Sequence, residues 1–587
     1  MRLTGLTDSE KRVRTDFLAG GRTSFETGDP ALADPAASGA AWGPERTLRA
    51  SFLRKLIDEA GDRRAPLRVV GAKVVGRLEL EYLELGYSLS FAYCWFQDDL
   101  DLHDTRLRRL NLRGSRLAGL NASLARVEAT VMMHRTRVDG RVRLDHAVIG
   151  GELLLTEAHL SRPGELALRA ERLRVGGDLM LWDATIEGHA ILRDAKVDGV
   201  MSLERARLSD PGADEVLDAA RLQLGSDFVA DDLHAEGKIR FSGAQIQGLL
   251  RLANAKLSNP GGVTLEAYQA KIGADLQCYR GFDSDGLVRI TGAHVAGHAR
   301  FDEAILRGDG TDALDARYAE IGGAARCRAI HATGAIRFAS ARVANDMDFR
   351  EAVVTRPASG TVPNLLFLGH LQAAELTLLF AAPPAGGIHL ANAHVTVLHD
   401  DPATWPPHFT RDGFVYDRIA EPGPVAERIA WLAREAAGYR PGPYEQLATV
   451  YRRQGLDGEA RRVLLAKQRA RRRTLSPAAR PWGFVQDAAV GYGYRPERAL
   501  GWLAALLVTG VVVFGLHHPV PLGPDKAPPF NPLIYSLDLL LPVINFGQGR
   551  AYAATGGYQW VAYLLTATGW ILATTIAAGV ARAVNRA

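Results

Sequence analysis

The chain has 587 residues, 23% of them charged, a formal net charge of +4 and only three cysteines. That length admits several domains or one long repeat array with additions. The near-balanced charge singles out no partner. Cys94, Cys278 and Cys327 lie far apart and form no CxxC, so neither a dithiol redox pair nor a cysteine zinc site is visible. MRLTGLTDSEKRV at the N-terminus has no apolar h-region, and no secretory signal is expected from it.

Residues 1–40 read as loosely ordered. PERTLRASFLRKLIDEAG (Pro44–Gly61) carries Leu48, Leu53, Phe52, Leu56 and Ile57 in one stripe, which predicts an amphipathic helix within a cap over 41–65. Repeats follow from 66 to 400. Gly177, Gly188 and Gly199 mark one slot, and Ala184, Ala195 and Ala206 mark another. The apolar positions Leu181, Ile186, Leu192, Val197, Leu203 and Leu208 step by five and six in alternation. A helix would step by three and four, and a plain strand by two. Steps near five predict a chain that turns a corner after each short strand, four faces to a coil of about 22 residues, with one apolar ladder inside each face.

Leu102, Leu107, Leu112 and Leu117 keep strict fives. Here the chain resembles the pentapeptide-repeat family, over roughly Leu78 to Val354. The resemblance implies a mainly β fold: a right-handed, quadrilateral β-helix. Every second unit carries a sixth residue, a departure from that family's pattern. Turn-rich insertions at SRPGE (Ser161), SDPGAD (Ser209), SNPGG (Ser258), DSDG (Asp283), RGDGTD (Arg307) and RPASG (Arg356) are spaced by multiples of one coil. They are expected to project from one edge, a candidate surface for a protein partner.

Residues 401–422, including DDPATWPPHFT (Asp400–Thr410), read as a linker. Residues 423–498 read as a helical, basic connector. Within it YEQLATVYRRQGLDGEARRVLLAKQ (Tyr444–Gln468) resembles one tetratricopeptide unit through Tyr444, Leu447, Ala448, Tyr451 and Ala460. The membrane domain is expected at 499–587. ALGWLAALLVTGVVVFGL (499–516) and WVAYLLTATGWILATTIAAGVA (560–581) are long and apolar enough for two transmembrane helices. Arg452 to Arg498 holds twelve Arg/Lys against four Asp/Glu, whereas the connector between the spans sums to zero. That asymmetry predicts a multi-pass plasma-membrane protein with both termini cytoplasmic. The run Lys467, Arg469, Arg471, Arg472 and Arg473 then reads as a contact for anionic lipid headgroups rather than nucleic acid.

Between the spans, Asn531 can cap a helix with Pro532 at its first position, and 531–542 is too short to cross. A re-entrant helix and an interfacial helix are both compatible with it. YSLDLLLPVINFGQ looks faintly like a pore helix and filter, without the TVGYG run. Asp538, Asn545 and Gln548 are the candidate pore or membrane-functional residues, and pore formation would need a homo-oligomer.

Catalytic motifs are weak. Gly-Gly pairs at Gly150, Gly176 and Gly322 occupy the repeat's glycine slot rather than a phosphate loop. His189 and His298 share one repeat position and are expected on an outer face, and His517 and His518 at the end of the first span. The acids of DDLDLHD (Asp98–Asp104) are expected to spread over different faces, and the cysteines to belong to the core. No cofactor or metal is expected. From Pro66 to Asp400 there are 38 basic and 43 acidic residues, too even for a DNA-mimicking face.

As a whole, through WGPERTLRASFLRKL, GAKVVGRLELEYLELGYSLSFAYCWF and the YGYRPERALGWL tail, the chain resembles a group of actinobacterial membrane-anchored pentapeptide-like proteins. Their frequent label is membrane-associated oxidoreductase. The expected function is a non-enzymatic, membrane-anchored cytosolic β-helix scaffold for protein interaction or sensing. A membrane oxidoreductase and a two-span pore-loop channel are the alternatives.

Overall fold

The computed structural model describes residues 5–26, 34–60, 65–358, 363–434, 438–474, 476, 484, 487, 491–493, 496–523, 527–541 and 544–584. These fall into two units, Met1–Glu421 and Pro422–Ala587.

The first unit is a parallel β-solenoid of about 16 turns. Its registers resolve four inward ladders. Leu89, Leu110, Val131, Leu153, Leu179, Met201 and Phe228 stack as successive partners in one. Leu107, Val127, Ile149, Val175 and Val197 stack in the second. Leu117, Val138, Leu160, Ile186 and Leu208 form the third. Leu120, Val142, Leu168, Ala190 and Leu217 form the fourth. All are buried. Neighbouring coils lie about 4.8 Å apart, so each apolar side chain rests on its counterparts above and below. The apolar steps of five and six thus become corners, as the sequence predicts.

Two kinds of corner account for the alternation. Five-residue steps turn through left-handed residues such as Asp183 (φ 53), Asp194 (φ 56) and Arg205 (φ 55). Asp and Asn tolerate that region better than most residues. Six-residue steps turn at the glycine slot, as at Gly199. Gly150 and Gly176 sit one residue before that slot, level with Asp198, and a Cβ on either would fall 2.4 Å or less from a carbonyl oxygen of the preceding coil.

The ends differ from the sequence expectations in three places. Residues 1–40 are not uniformly loose: Asp8–Leu18 is a helix closed by a Thr7–Glu10 capping box, with Val13 and Phe17 buried. Glu10, wholly buried, accepts from Arg49 Nη2 at 2.6 Å. The cap helix begins at Ala50 rather than Pro44, because Thr47–Arg49 is drawn into a strand against Lys73–Val75. Thr23–Ser24 pairs likewise with Val69–Val70. These two strands cover the first coil's edge, which would otherwise present unpaired backbone. The linker expected at 401–422 is instead the last coil. Phe409–Thr410 pairs with Ile388–His389, and Val415–Ile419 with His394–Leu398. Buried Trp405, Phe409, Phe414 and Tyr416 replace the leucines there, which hides the register from a leucine count.

In the second unit, helices Val425–Ala433, Pro441–Arg453 and Asp457–Thr474 pack together. Tyr444, Leu447, Ala448, Tyr451 and Ala460, the tetratricopeptide-like positions, are all buried. Helices Pro496–Leu516, Pro532–Leu540 and Tyr558–Val584 form a second cluster around Phe514, Tyr535, Leu540 and Leu565. Among the described residues one helix, Arg498–Leu516, is long and apolar enough to cross a membrane, with mean hydropathy 2.3 and 17% of that stretch buried.

Candidate functional site

Two surfaces hold the residues singled out in the sequence. The first is the helical hairpin. Its short helix starts at Asn531, whose Oδ1 accepts from the Leu533 and Ile534 amides at 3.0 and 3.3 Å, with Pro532 at the first position. Glycines on both long helices admit it. A Cβ on Gly510 would lie 2.7 Å from Ser536 Oγ, and one on Gly569 would lie 2.3 Å from the Leu540 carbonyl oxygen. Gly510 is six residues before the end of the first long helix, and Gly569 eleven residues into the last one. At 1.5 Å per residue these are about 9 and 16 Å along the axes. Within this unit the short helix packs against both long ones along its length.

Asp538 and Gln548 hold the return. Asp538 Oδ1 accepts from the Phe546 amide at 2.5 Å, and its Oδ2 from the Gly549 amide at 2.8 Å. Gln548, buried, accepts from the Asn531 amide at 3.0 Å and donates to the Pro529 carbonyl at 2.8 Å. Asn545 is exposed and accepts from the Gly547 amide at 2.8 Å. All three candidates therefore bind backbone of the loop or helix start. His517 stacks on Tyr558 (4.3 Å between ring centroids), and His518 packs on Phe530.

The basic run is more self-satisfied than its sequence implies. Lys467 pairs with Glu445. Arg469 and Arg472 both reach Asp487, at 2.9 and 3.3 Å. Burial pushes the Asp487 carboxyl up, but Arg469 and Arg472 outweigh it and hold it below the ordinary range. Arg471 and Arg473 are exposed on the same helix.

The second surface is one edge of the solenoid. Ser161, Glu187, Ser209, Glu236, Ser258, Asp285, Arg307, Thr333 and Thr355 form one unbroken column of register partners. Insertions follow Ser161, Ser209, Ser258, Arg307 and Thr355, in alternate coils. The coils between carry one glycine there: Gly188 (φ 121), Gly237 (φ 129), Gly286 (φ 138) and Gly334 (φ 125). DSDG, expected as an insertion, is such a glycine corner inside the strand Asp283–Arg289. The alternation is steric. A Cβ on Gly188 would stand 2.5 Å from the Arg162 carbonyl oxygen, and one on Gly286 2.7 Å from that of Asn259. Each loop lies over a glycine. Neighbouring loops also touch: the Gly164 amide donates to Asp210 Oδ1 at 2.8 Å, and Asn259 Nδ2 to Asp214 Oδ1 at 3.0 Å.

The residues weighed for chemistry have structural partners. Asp101 is buried and accepts from Arg77 Nη2 at 2.5 Å and Asn121 Nδ2 at 2.9 Å, while Asp98 is half-buried and Asp99 and Asp104 are exposed elsewhere on the coil. His298 Nδ1 lies 2.9 Å from the Ala324 amide, which donates to it. His189 lies beside Glu215 at 3.9 Å. Burial pushes the Cys94 thiol up to about 12, and raises Cys278 and Cys327 as well, which removes the thiolate a nucleophile needs. No protein-family model, curated protein or solved structure matches this chain.

Proposed function

We propose that the chain is a membrane-anchored scaffold: a right-handed, pentapeptide-like β-helix on the cytosolic side that presents its loop edge to a protein partner. The observation that carries the anchor is the helix Arg498–Leu516, with mean hydropathy 2.3 and only 17% of its apolar stretch buried. Leu500, Trp502, Val508, Val512 and Leu516 face outward from it, and Trp560, Tyr563, Leu564, Trp570 and Ile571 face outward from Tyr558–Val584. Such a surface suits lipid better than water. On this reading both long helices span, Arg471 and Arg473 lie near anionic headgroups, and both termini are cytoplasmic. The loop edge supports the interaction role because its five insertions stand at regular two-coil intervals.

The chain should stay with membranes through high-salt and carbonate washes, and removal of 496–587 should release the remainder. Release of the full chain by carbonate would refute the anchor. Crosslinking in native membranes should yield a partner adduct through the loops of 161–165, 209–214 and 258–262. An adduct pattern unchanged on shortening those loops would refute the edge.

A second reading, a two-span pore-loop channel, is favoured by the short helix seated between the long ones at Gly510 and Gly569. It expects ion flux in reconstituted vesicles that Asp538→Ala abolishes, through loss of the two amide bonds that hold the return loop. An absence of flux from the full chain would leave the anchor alone. The oxidoreductase reading gains no support from the cysteines, which are buried with raised thiols.

A further inference from the structure

The first coils carry an unusual concentration of charge. Thr105–Arg143 contains ten arginines and two acidic residues, Glu128 and Asp139. Asp139 is already shared by Arg116 and Arg137, at 2.6 and 2.9 Å. On one outer face, the register sets three rungs side by side. Arg68 pairs with Ser90, and Ser90 with Asn111. Within each rung the inward residue, Leu67, Leu89 or Leu110, is flanked by two outward ones: Pro66 and Arg68, Ser88 and Ser90, Arg109 and Asn111. The central rung is therefore short, with long side chains on the rungs either side.

That difference in length opens a cavity of about 380 Å³, lined among others by Arg68, Ser88, Ser90, Arg108, Arg109 and Asn111. The volume lies in the range of about 300–1,000 Å³ usual for ligand sites. Its lining holds no carboxylate. Among the described residues Arg68, Arg108 and Arg109 make no ion pair, whereas other outward arginines of the solenoid, such as Arg116, Arg205 and Arg221, are paired across coils. Ser90 Oγ accepts from Asn111 Nδ2 at 3.0 Å, so its hydroxyl proton remains to be donated. Asn111 spends its carbonyl oxygen on the Arg113 amide. Three guanidinium groups and serine hydroxyls thus converge on one depression as donors.

We propose that this cavity is a phosphate-binding site, taking a phosphate-bearing ligand across Arg68, Arg108 and Arg109 with Ser88 and Ser90 beneath it. Guanidinium forks match phosphate oxygens in pairs, and the surplus of positive charge around the cavity raises the local anion concentration. The ligand's phosphate comes either from a free compound or from a lipid headgroup. The site is independent of the scaffold reading, and its failure would leave that reading untouched.

Two arms test it on the full chain. Sodium pyrophosphate is titrated calorimetrically into the protein in neutral detergent. Separately, protein in phosphatidylcholine nanodiscs is floated with phosphatidylcholine vesicles with or without phosphatidic acid. The double variant Arg108→Gln/Arg109→Gln should weaken whichever phosphate binds by at least tenfold, and Ser90→Asp, which places a carboxylate on the floor, should do the same. Arg205→Gln, paired with Asp183 at 2.8 Å away from the cavity, should leave binding unchanged. Unaltered circular dichroism and melting temperature establish that the variants fold. Binding of pyrophosphate identifies a free ligand, and binding to phosphatidic acid vesicles alone a headgroup; both support the site. No binding in either arm, or equal binding by the double variant, overturns it.

Discussion

The two units treat apolar side chains in opposite ways. In the solenoid, Phe228, Phe241, Phe282, Phe301 and Phe338 are all inside, at 0% exposure. In the C-terminal helices, Leu516 is 74% and Trp560 76% exposed. The solenoid must hide its apolar surface from water within a core about one side chain deep, so each coil contributes one residue per face and relies on its neighbours. The helices satisfy their own backbone bonds, so their side chains are free to meet an apolar surround, and packing between them depends on small residues. Gly510 and Gly569 show this: each makes room for the short helix rather than for a corner.

The largest effect expected from breaking that contrast is in the solenoid core. Phe228→Ala removes a ring stacked on Met201, Leu250 and Phe241 and should lower the stability of the first unit by about 3–5 kcal/mol, read by chemical denaturation followed by circular dichroism. On the membrane reading, Val512→Lys should disfavour insertion by about 2.5–3.5 kcal/mol, read as a loss of carbonate-resistant membrane fraction. The same change on a water-exposed helix would be nearly silent, so this variant separates the two surrounds. Gly188→Ala should cost about 1–3 kcal/mol in the first unit, because the new methyl meets the Arg162 carbonyl.

The smallest effect per residue, but repeated along the coils, is acid sensitivity. Burial pushes the Asp348 carboxyl up, and Arg350 and Arg328 more than offset it, so its folded value lies below the ordinary one. Asp315 beside Arg317 behaves alike. Below-normal folded values stabilise the fold above the unfolded aspartate value of about 3.9, and that contribution is lost as pH falls through the folded values. The melting temperature of the first unit should hold from pH 7 to about 5 and fall below about pH 4. Asp348→Asn should flatten the acid limb. A melting temperature that rises on acidification would contradict the pairing.

Much of the solenoid was legible because its code is local: one apolar residue per face, five or six residues apart, with glycine where coils approach too closely. The stacking of the insertions on one edge was legible in their spacing too. What could not be read depended on partners distant in the chain. Asp8–Leu18 is a marginal helix alone and stands because Phe17 packs on Tyr87 and Glu10 meets Arg49. The final coil escaped a leucine count because aromatics fill it. At the hairpin, the cap at Asn531 was readable, but the seat between Gly510 and Gly569 was not, since nothing local says which glycine faces which helix. The unpaired arginines of the first coils were invisible for a similar reason: only register shows which arginine lacks a carboxylate on the next turn.

The alternation of loop and glycine along one edge gives the solenoid a parity. Excising a single coil would set two loops on the same level, or two glycines, whereas excising a pair would leave every loop above its glycine. Across the nine coils from Ser161 to Thr355 the solenoid can lengthen or shorten only by even steps, so the natural unit of growth there is the duplicated pair of turns rather than the turn itself.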